Sequence, residues 1–256
     1  MNKSGDYDTI GRAYALSRRA DPRIARQILD ALSDAATVVN VGAGTGSYEP
    51  RHLAVTAVEP SIEMIGQRPP GAAPVVRAIA EQLPFADHSF DASLAVLTIH
   101  HWRDLAGGLA EMRRVARRRV VILTWDVAAA DSFWLTAHYF PEITAFDSTR
   151  FGPIDELADA LGRAKVIPVP VPRDCQDGFL AAFWARPEEY LDPRRRAAMS
   201  GFAQIPREAI ESGLERLARD LRAGAWDRRF GELRTRESLD AGYRLLIADV
   251  TRHTIR

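Results

Sequence analysis

The chain has 256 residues, enough for one large domain or for one domain carrying a sizeable insertion. Its 46% hydrophobic and 27% charged residues are the balance of a soluble globular protein, and 34 basic residues offset 34 acidic ones. That neutrality argues against nucleic acid as a partner, and the single Cys175 excludes an internal disulfide and a cysteine-rich zinc site.

Taken in chain order, Asp21-Pro22 opens an amphipathic helix at about 22–32. Strands are then predicted at 37–41 (TVVNV), 54–59 (AVTAVE), 74–78 (PVVRA), 90–97 (FDASLAVL) and 119–125 (RVVILTW). Helical segments are predicted near 61–67 and 104–116. In the second, Leu105, Leu109, Met112 and Val115 recur at helical spacing behind Asp104 as N-cap. Near-continuous apolar strands separated by helices predict βαβ units and a buried parallel sheet. Segment 127–150 is rich in aromatics (Phe133, Trp134, Tyr139, Phe140, Phe146) and reads as a covering element. KVIPVPVP (165–172) reads as a strand whose prolines place it at or near an edge. Pro206 opens a helix with Ile210, Leu214, Leu217 and Leu221 on one face and Gly224 at its close; YRLLIAD (243–249) is the last strand.

The first strand runs into Gly42, Ala43, Gly44, Thr45 and Gly46, more glycines than an ordinary turn needs. Removing side chains there lets a ligand contact the backbone. The second strand ends in Glu59, where a carboxylate can accept hydrogen bonds from both hydroxyls of a ribose. Loop and acid together point to a nucleoside-containing ligand. The dinucleotide pattern G-x-G-x-x-G would place its third glycine at Ser47, so a nicotinamide cofactor fits poorly.

Five motifs follow one another in order: VVNVGAGTG (38–46), AVEPS (57–61), AEQLPFADHSFD (80–91), VLTIHHW (96–102) and LAEMRRVARRRVVILTWD (109–126). In this order they resemble the class I S-adenosylmethionine-dependent methyltransferases, of the small-molecule group that includes ubiquinone-biosynthesis-like enzymes. The resemblance covers about residues 5–126. It implies an α/β fold: a three-layer, Rossmann-like, seven-stranded, mostly parallel sheet with an antiparallel last strand and a helical insertion between the last two strands. On that basis residues 1–172 with 236–256 form the core, and 173–235 an insertion over the substrate.

The implied cofactor is S-adenosylmethionine. Gly42, Ala43, Gly44 and Gly46 would wrap its methionyl and ribose part, Glu59 would take the ribose hydroxyls, and Pro60 and Met64 would pack on the adenine. Ala80 and Glu81 would lie at the adenine edge, and Leu97 beneath the methionine portion, with Tyr14 and Arg18 closing over the cofactor carboxylate. Two positions depart from the pattern: Asn40 replaces an acid before the first glycine, and Ile79 replaces another before the Ala-Glu pair. The asparagine still bonds to an ammonium group but loses a charge–charge attraction.

Transfer of an activated methyl needs an acceptor held in line and little else, although a hydroxyl acceptor must also lose its proton. His100 and His101, just past the fourth strand, are candidate general bases. Sugar O-methyltransferases resemble the chain here, with a histidine pair and an acid past the next strand, matched by Asp126. The expected acceptor is a small, partly apolar molecule, with oxygen as its first-choice nucleophile and carbon or nitrogen as alternatives. A cofactor-binding module without turnover is the rival reading. No metal-ligand spacing appears among the histidines. No apolar run is long enough to span a membrane, and the first residues lack a signal-peptide core, so a cytoplasmic, soluble protein is expected.

Overall fold

The structure is a computed structural model that describes residues 19–150, 152–197 and 199–250; Tyr14 and Arg18 lie outside them. Helix α1 (Pro22–Leu32) begins where Asp21 accepts a hydrogen bond from the Arg23 amide, and it buries Ile24, Ile28 and Leu32. A seven-stranded sheet follows, built from β1 (Thr37–Val41), β2 (Ala54–Val58), β3 (Val75–Val76), β4 (Phe90–Val96), β5 (Ala116–Trp125), β6 (Lys165–Pro168) and β9 (Tyr243–Asp249). Its spatial order is β3-β2-β1-β4-β5-β9-β6. The strands from β3 to β5 pair in parallel, and β9 runs antiparallel between β5 and β6. The implied mostly parallel sheet with an antiparallel last strand is therefore the architecture found.

Period-two alternation explains why the strands read as unbroken apolar runs, since both faces are covered. Val121, Leu123 and Trp125 join the core on one face, while Val120 and Ile122 join the core on the other. The second face is roofed by α3 (Leu105–Val115), whose Leu109, Met112 and Val115 are buried, and by α6 (Ile154–Ala160). Between β2 and β3 lies the short helix α2 (Ile62–Gly66), capped by Ser61.

The first face is roofed by α1 and by an aromatic core of Trp134, Trp184, Trp226, Tyr190, Phe133 and Phe140. Helices α4 (Trp134–His138) and α5 (Pro141–Asp147) bear part of that core, as does a helical stretch carried between β7 (Val171–Pro172) and β8 (Ser238–Leu239). That stretch contains α7 (Pro193–Arg196), α8 (Ser200–Ala203), α9 (Arg207–Arg222) and α10 (Ala225–Phe230). Pro206 caps α9, and Gly224 follows it in the left-handed conformation (φ 65°).

The single strand expected over 165–172 divides in two. Val169 still donates to the Tyr243 carbonyl, but Pro168 and Pro170 have no N–H to extend a ladder, and β7 pairs with β8 in a separate two-stranded sheet. No described helix is long and apolar enough to cross a membrane.

Candidate active site

Strand order reverses between β1 and β4, and a cleft of about 1580 Å³ opens at the carboxyl ends of those strands. The glycine loop forms its floor. Gly42, Gly44 and Gly46 all adopt positive φ (68°, 53° and 87°), a region that other residues enter at a cost. The amides of Gly42 and Ala43 both donate to the Val58 carbonyl at 2.9 Å, clamping the loop to the end of β2. A β-carbon at Gly42 would lie 2.1 Å from Thr98 Oγ1, whereas one at Gly44 would meet nothing within 4 Å. Gly42 thus lets the ends of β1 and β4 approach, and Gly44 leaves open space for a ligand.

Beneath the loop is a buried ion pair that the sequence reading did not anticipate. Arg68, just after α2, donates to both Glu49 carboxylate oxygens (2.6 and 2.8 Å) and to the Gly44 and Ala73 carbonyls. Both side chains are nearly inaccessible, at 5% and 6%. Asn40 Nδ2 donates to Glu49 at 3.4 Å, while its buried Oδ1 has no partner. An acid stands close to the position where the motif lacks one, but its charge is already matched by Arg68.

At one end of the cleft Glu59 accepts hydrogen bonds from the amides of Gly44 (2.8 Å) and Ser61 (2.9 Å). Burial raises its pKa, opposed by those two amides and by Arg68. Pro60, Met64 and Ala80 line the same end, Pro60 exposed and the other two buried. Glu81 lines it too, but its carboxylate is committed to the amides of Arg103 and Asp104, holding the turn into α3. Ile62 (57% exposed) and Ile79 (45%) are the exposed large hydrophobics among the described residues, and both line this end. The signal for Ile79 was in the sequence as the departure from an acid; Ile62 gave none.

The other end is built from the turn after β4 and from the helical cover. Leu97 adopts φ 51°, strained for a branched side chain, and donates its amide to the Leu123 carbonyl. This turn presents His100 and His101 to the cleft, with ring centroids 3.8 Å apart. Desolvation by the surrounding protein, then the positive charge of Arg150, pulls His100 down to about 4; His101 is lowered by desolvation, His100 and Arg150. Both rings are therefore neutral near pH 7, and as proton acceptors they are weak.

Asp147, at the end of α5, and Arg150 line the same end, although the sequence singled out neither. Burial pushes the Asp147 carboxyl up to about 7 against the pull of Arg150. Trp125, Phe146, Phe179 and Tyr243 add aromatic surface. Asp126 does not join them. It caps the turn 127–132 by accepting from the Ala128 amide and stands 3.7 Å from Arg244. The polar residues of DCQDGF (174–179) are likewise engaged in structure, Asp177 accepting from the Tyr48 hydroxyl at 2.9 Å and Asp174 pairing with Arg23 at 2.7 Å.

A family profile described as a methyltransferase domain matches residues 39–124. The crystal structure of a protein from Anabaena variabilis, assigned as a methyltransferase from an antibiotic biosynthesis pathway, is 37% identical with a TM-score of 0.83, covering 90% of this chain and 98% of that one. Demethylmenaquinone methyltransferase from a Roseiflexus species is 28% identical over 193 residues, 70% of this chain and 80% of the relative. A geranyl diphosphate C-methyltransferase from Streptomyces coelicolor, solved with S-adenosyl-L-homocysteine, is 16% identical with a TM-score of 0.50 over 89% of this chain and 75% of that one, a likeness of fold alone.

Proposed function

The chain belongs to the class I S-adenosylmethionine-dependent methyltransferases, and on that premise we propose that it methylates an oxygen of a small, partly apolar acceptor. The observation that carries this reading is the single cleft, in which the glycine loop and Glu59 at one end are continuous with an aromatic end bearing two histidines. Its volume suits a nucleoside cofactor and a small molecule together.

The residues fit the methyl donor on three counts. The open space above Gly44 admits the methionyl and ribose portion, and the unpartnered Oδ1 of Asn40 offers an acceptor for an ammonium group. Ile62 and Ile79, with Pro60 and Met64, give an adenine apolar faces to cover, which would remove otherwise exposed hydrophobic surface from water. Glu59 keeps lone pairs for ribose hydroxyls beyond the two amides it already accepts from. Glu81 supports the adenine end by fixing the 103–104 turn, and Leu97 by shaping the floor under the methionine portion. Bound S-adenosylmethionine supplies a methyl group already activated on a sulfonium sulfur.

The chain's own contribution is then to align the acceptor and keep water away. Helices α4 and α5, with segment 173–235, serve as the cover. Neutral His100 and His101 orient the acceptor by hydrogen bonding, and Asp126 stays in its capping role.

Calorimetric titration with S-adenosylhomocysteine tests the cofactor half of the proposal. Micromolar binding is expected, weakened at least tenfold by Glu59→Ala, about the effect of losing a charge-assisted hydrogen bond. Unchanged affinity in that variant would remove Glu59 from the site. Mass spectrometry of products from an acceptor panel tests the other half, since methylation on nitrogen or carbon alone would replace the oxygen assignment.

A further inference from the structure

We infer that Asp147 takes the proton from the acceptor's hydroxyl while Arg150 holds the oxygen as it becomes negative, and that the acceptor is accordingly a phenol. This inference rests on the proposed oxygen transfer and specifies which group performs it.

The geometry narrows the choice. Among the described residues lining the cleft, the carboxylates are Glu59, Glu63, Glu81 and Asp147. Glu59 and Glu81 accept from backbone amides at the nucleoside end, away from the histidines, and Glu63 accepts from the Ser61 hydroxyl there at 3.2 Å. Asp147 is the carboxylate at the acceptor end, and its side chain has no hydrogen bond or ion pair to any described residue. Arg150 follows three residues later, donates its amide to the Asp147 carbonyl at 2.8 Å, and stacks its guanidinium over Phe146 at 5.0 Å. It has no carboxylate within ion-pair distance among the described residues. An uncommitted acid and an uncommitted cation therefore line one end of one cleft.

The histidines are worse placed to receive the proton. Their rings stand against each other at 3.8 Å, and Arg150 acts on both, so a second positive charge on either would be opposed by its neighbours. A proton arriving at Asp147 cancels a charge. As it moves, negative charge passes from the carboxylate to the acceptor oxygen, and Arg150 faces one net negative charge before and after. The oxygen lone pair then forms the O–CH₃ bond, the C–S bond breaks with its electron pair going to sulfur, and S-adenosylhomocysteine leaves neutral. Asp147 returns its proton to solvent when the methyl ether departs.

The acidity of the acceptor follows. A carboxyl near 7 is matched to proton transfer at neutral pH. A phenol at about 10 lies within reach of it, whereas an aliphatic alcohol, far less acidic, does not. The aromatic lining of Trp125, Phe146, Phe179 and Tyr243 is the surface a ring would cover.

The test uses the full chain with S-adenosylmethionine and four probes: 1-naphthol, 4-methylumbelliferone, catechol and, as the aliphatic counterpart, benzyl alcohol. Phenolic O-methylation is expected, with benzyl alcohol inert. kcat/KM should rise with pH through about 7, because Asp147 must be ionised to act. The groups that bear on this profile are Arg150, His100 and His101; of the elements packed against α5, α4 carries His138, stacked on Phe230, and α8 carries no titrating residue. Asp147→Asn should lower kcat/KM about 100-fold or more and replace the rise near 7 with one that follows the acceptor's own ionisation. S-adenosylhomocysteine affinity in that variant should stay within about twofold of the parent, as measured by calorimetry. Phenol methylation that survives Asp147→Asn with its pH profile intact overturns this inference and leaves oxygen transfer standing. Failure of every phenol while S-adenosylhomocysteine binds also overturns it, and methylation on nitrogen or carbon alone overturns the underlying oxygen assignment.

Discussion

At Gly42 and Gly44 the same substitution has two different meanings. Alanine at Gly42 would combine a disfavoured φ of 68° with a contact of 2.1 Å to Thr98, whose backbone begins the histidine turn. A destabilisation of roughly 3 kcal/mol or more is expected, read as a lowered urea midpoint. Alanine at Gly44 meets open space, so the conformational cost alone, about 1–2 kcal/mol, should appear in stability. Its methyl group would occupy the cleft, and S-adenosylhomocysteine affinity should fall by more than stability does. Equal effects of Gly44→Ala on both measurements would mean the loop is structural and not a cradle. That the glycines cluster was plain in the sequence; that one of them serves strand approach and another serves a ligand depends on Thr98, more than fifty residues further along the chain.

At the scale of elements, the glycine loop is held from below by Arg68 and Glu49, which tie the end of α2 and the start of the 73–76 segment to the carbonyl of Gly44. A buried ion pair of this kind is weak evidence of net stability, but removing one partner leaves an uncompensated charge. Arg68→Met should therefore destabilise the protein by about 3–5 kcal/mol in urea unfolding. The double variant Arg68→Met with Glu49→Met should recover at least half of that loss. No recovery would show that the Arg68 bonds to the Gly44 and Ala73 carbonyls matter more than the charge. The strands and α3 were readable because each depends on local spacing. The limits of β6 and β7 are not local, because they depend on pairing with β9 and β8, which come much later in the chain.

Across the whole molecule, Asp21 joins three distant segments. Its fully buried carboxylate accepts from the Arg23 amide and guanidinium and from the Gln176 amide, while its own amide faces the Tyr48 hydroxyl at 3.5 Å. Burial raises its pKa, but the Arg23 side chain and the two amides outweigh this and hold it below the usual carboxylate range. A depressed folded-state value contributes stability above the unfolded pKa of about 3.9, and that contribution is lost as pH falls through the folded value. Asp21→Asn keeps an N-cap and removes the charge. Its melting temperature should lie roughly 4–8 °C below the parent at pH 7, with the difference shrinking as pH drops from 4 toward 2. A constant difference across that range would assign the effect to geometry and not to charge.

What the sequence determined by itself is the parallel sheet and the glycine loop at its switch point. Glycines that need positive φ, apolar runs that need two covered faces, and an acid ending the second strand are local demands of the backbone, so they can be read in order along the chain. The histidine end of the cleft was decided by tertiary structure. His100 and Asp126 looked alike as candidate polar groups, yet packing leaves one a neutral ring on the cleft wall and makes the other a cap paired with Arg244. Asp147 and Arg150 had no motif around them, and the burial that raises the Asp147 carboxyl on the cleft wall arises only from packing. Protonation and reach depend on which surfaces exclude water, and that is fixed only when distant segments pack together.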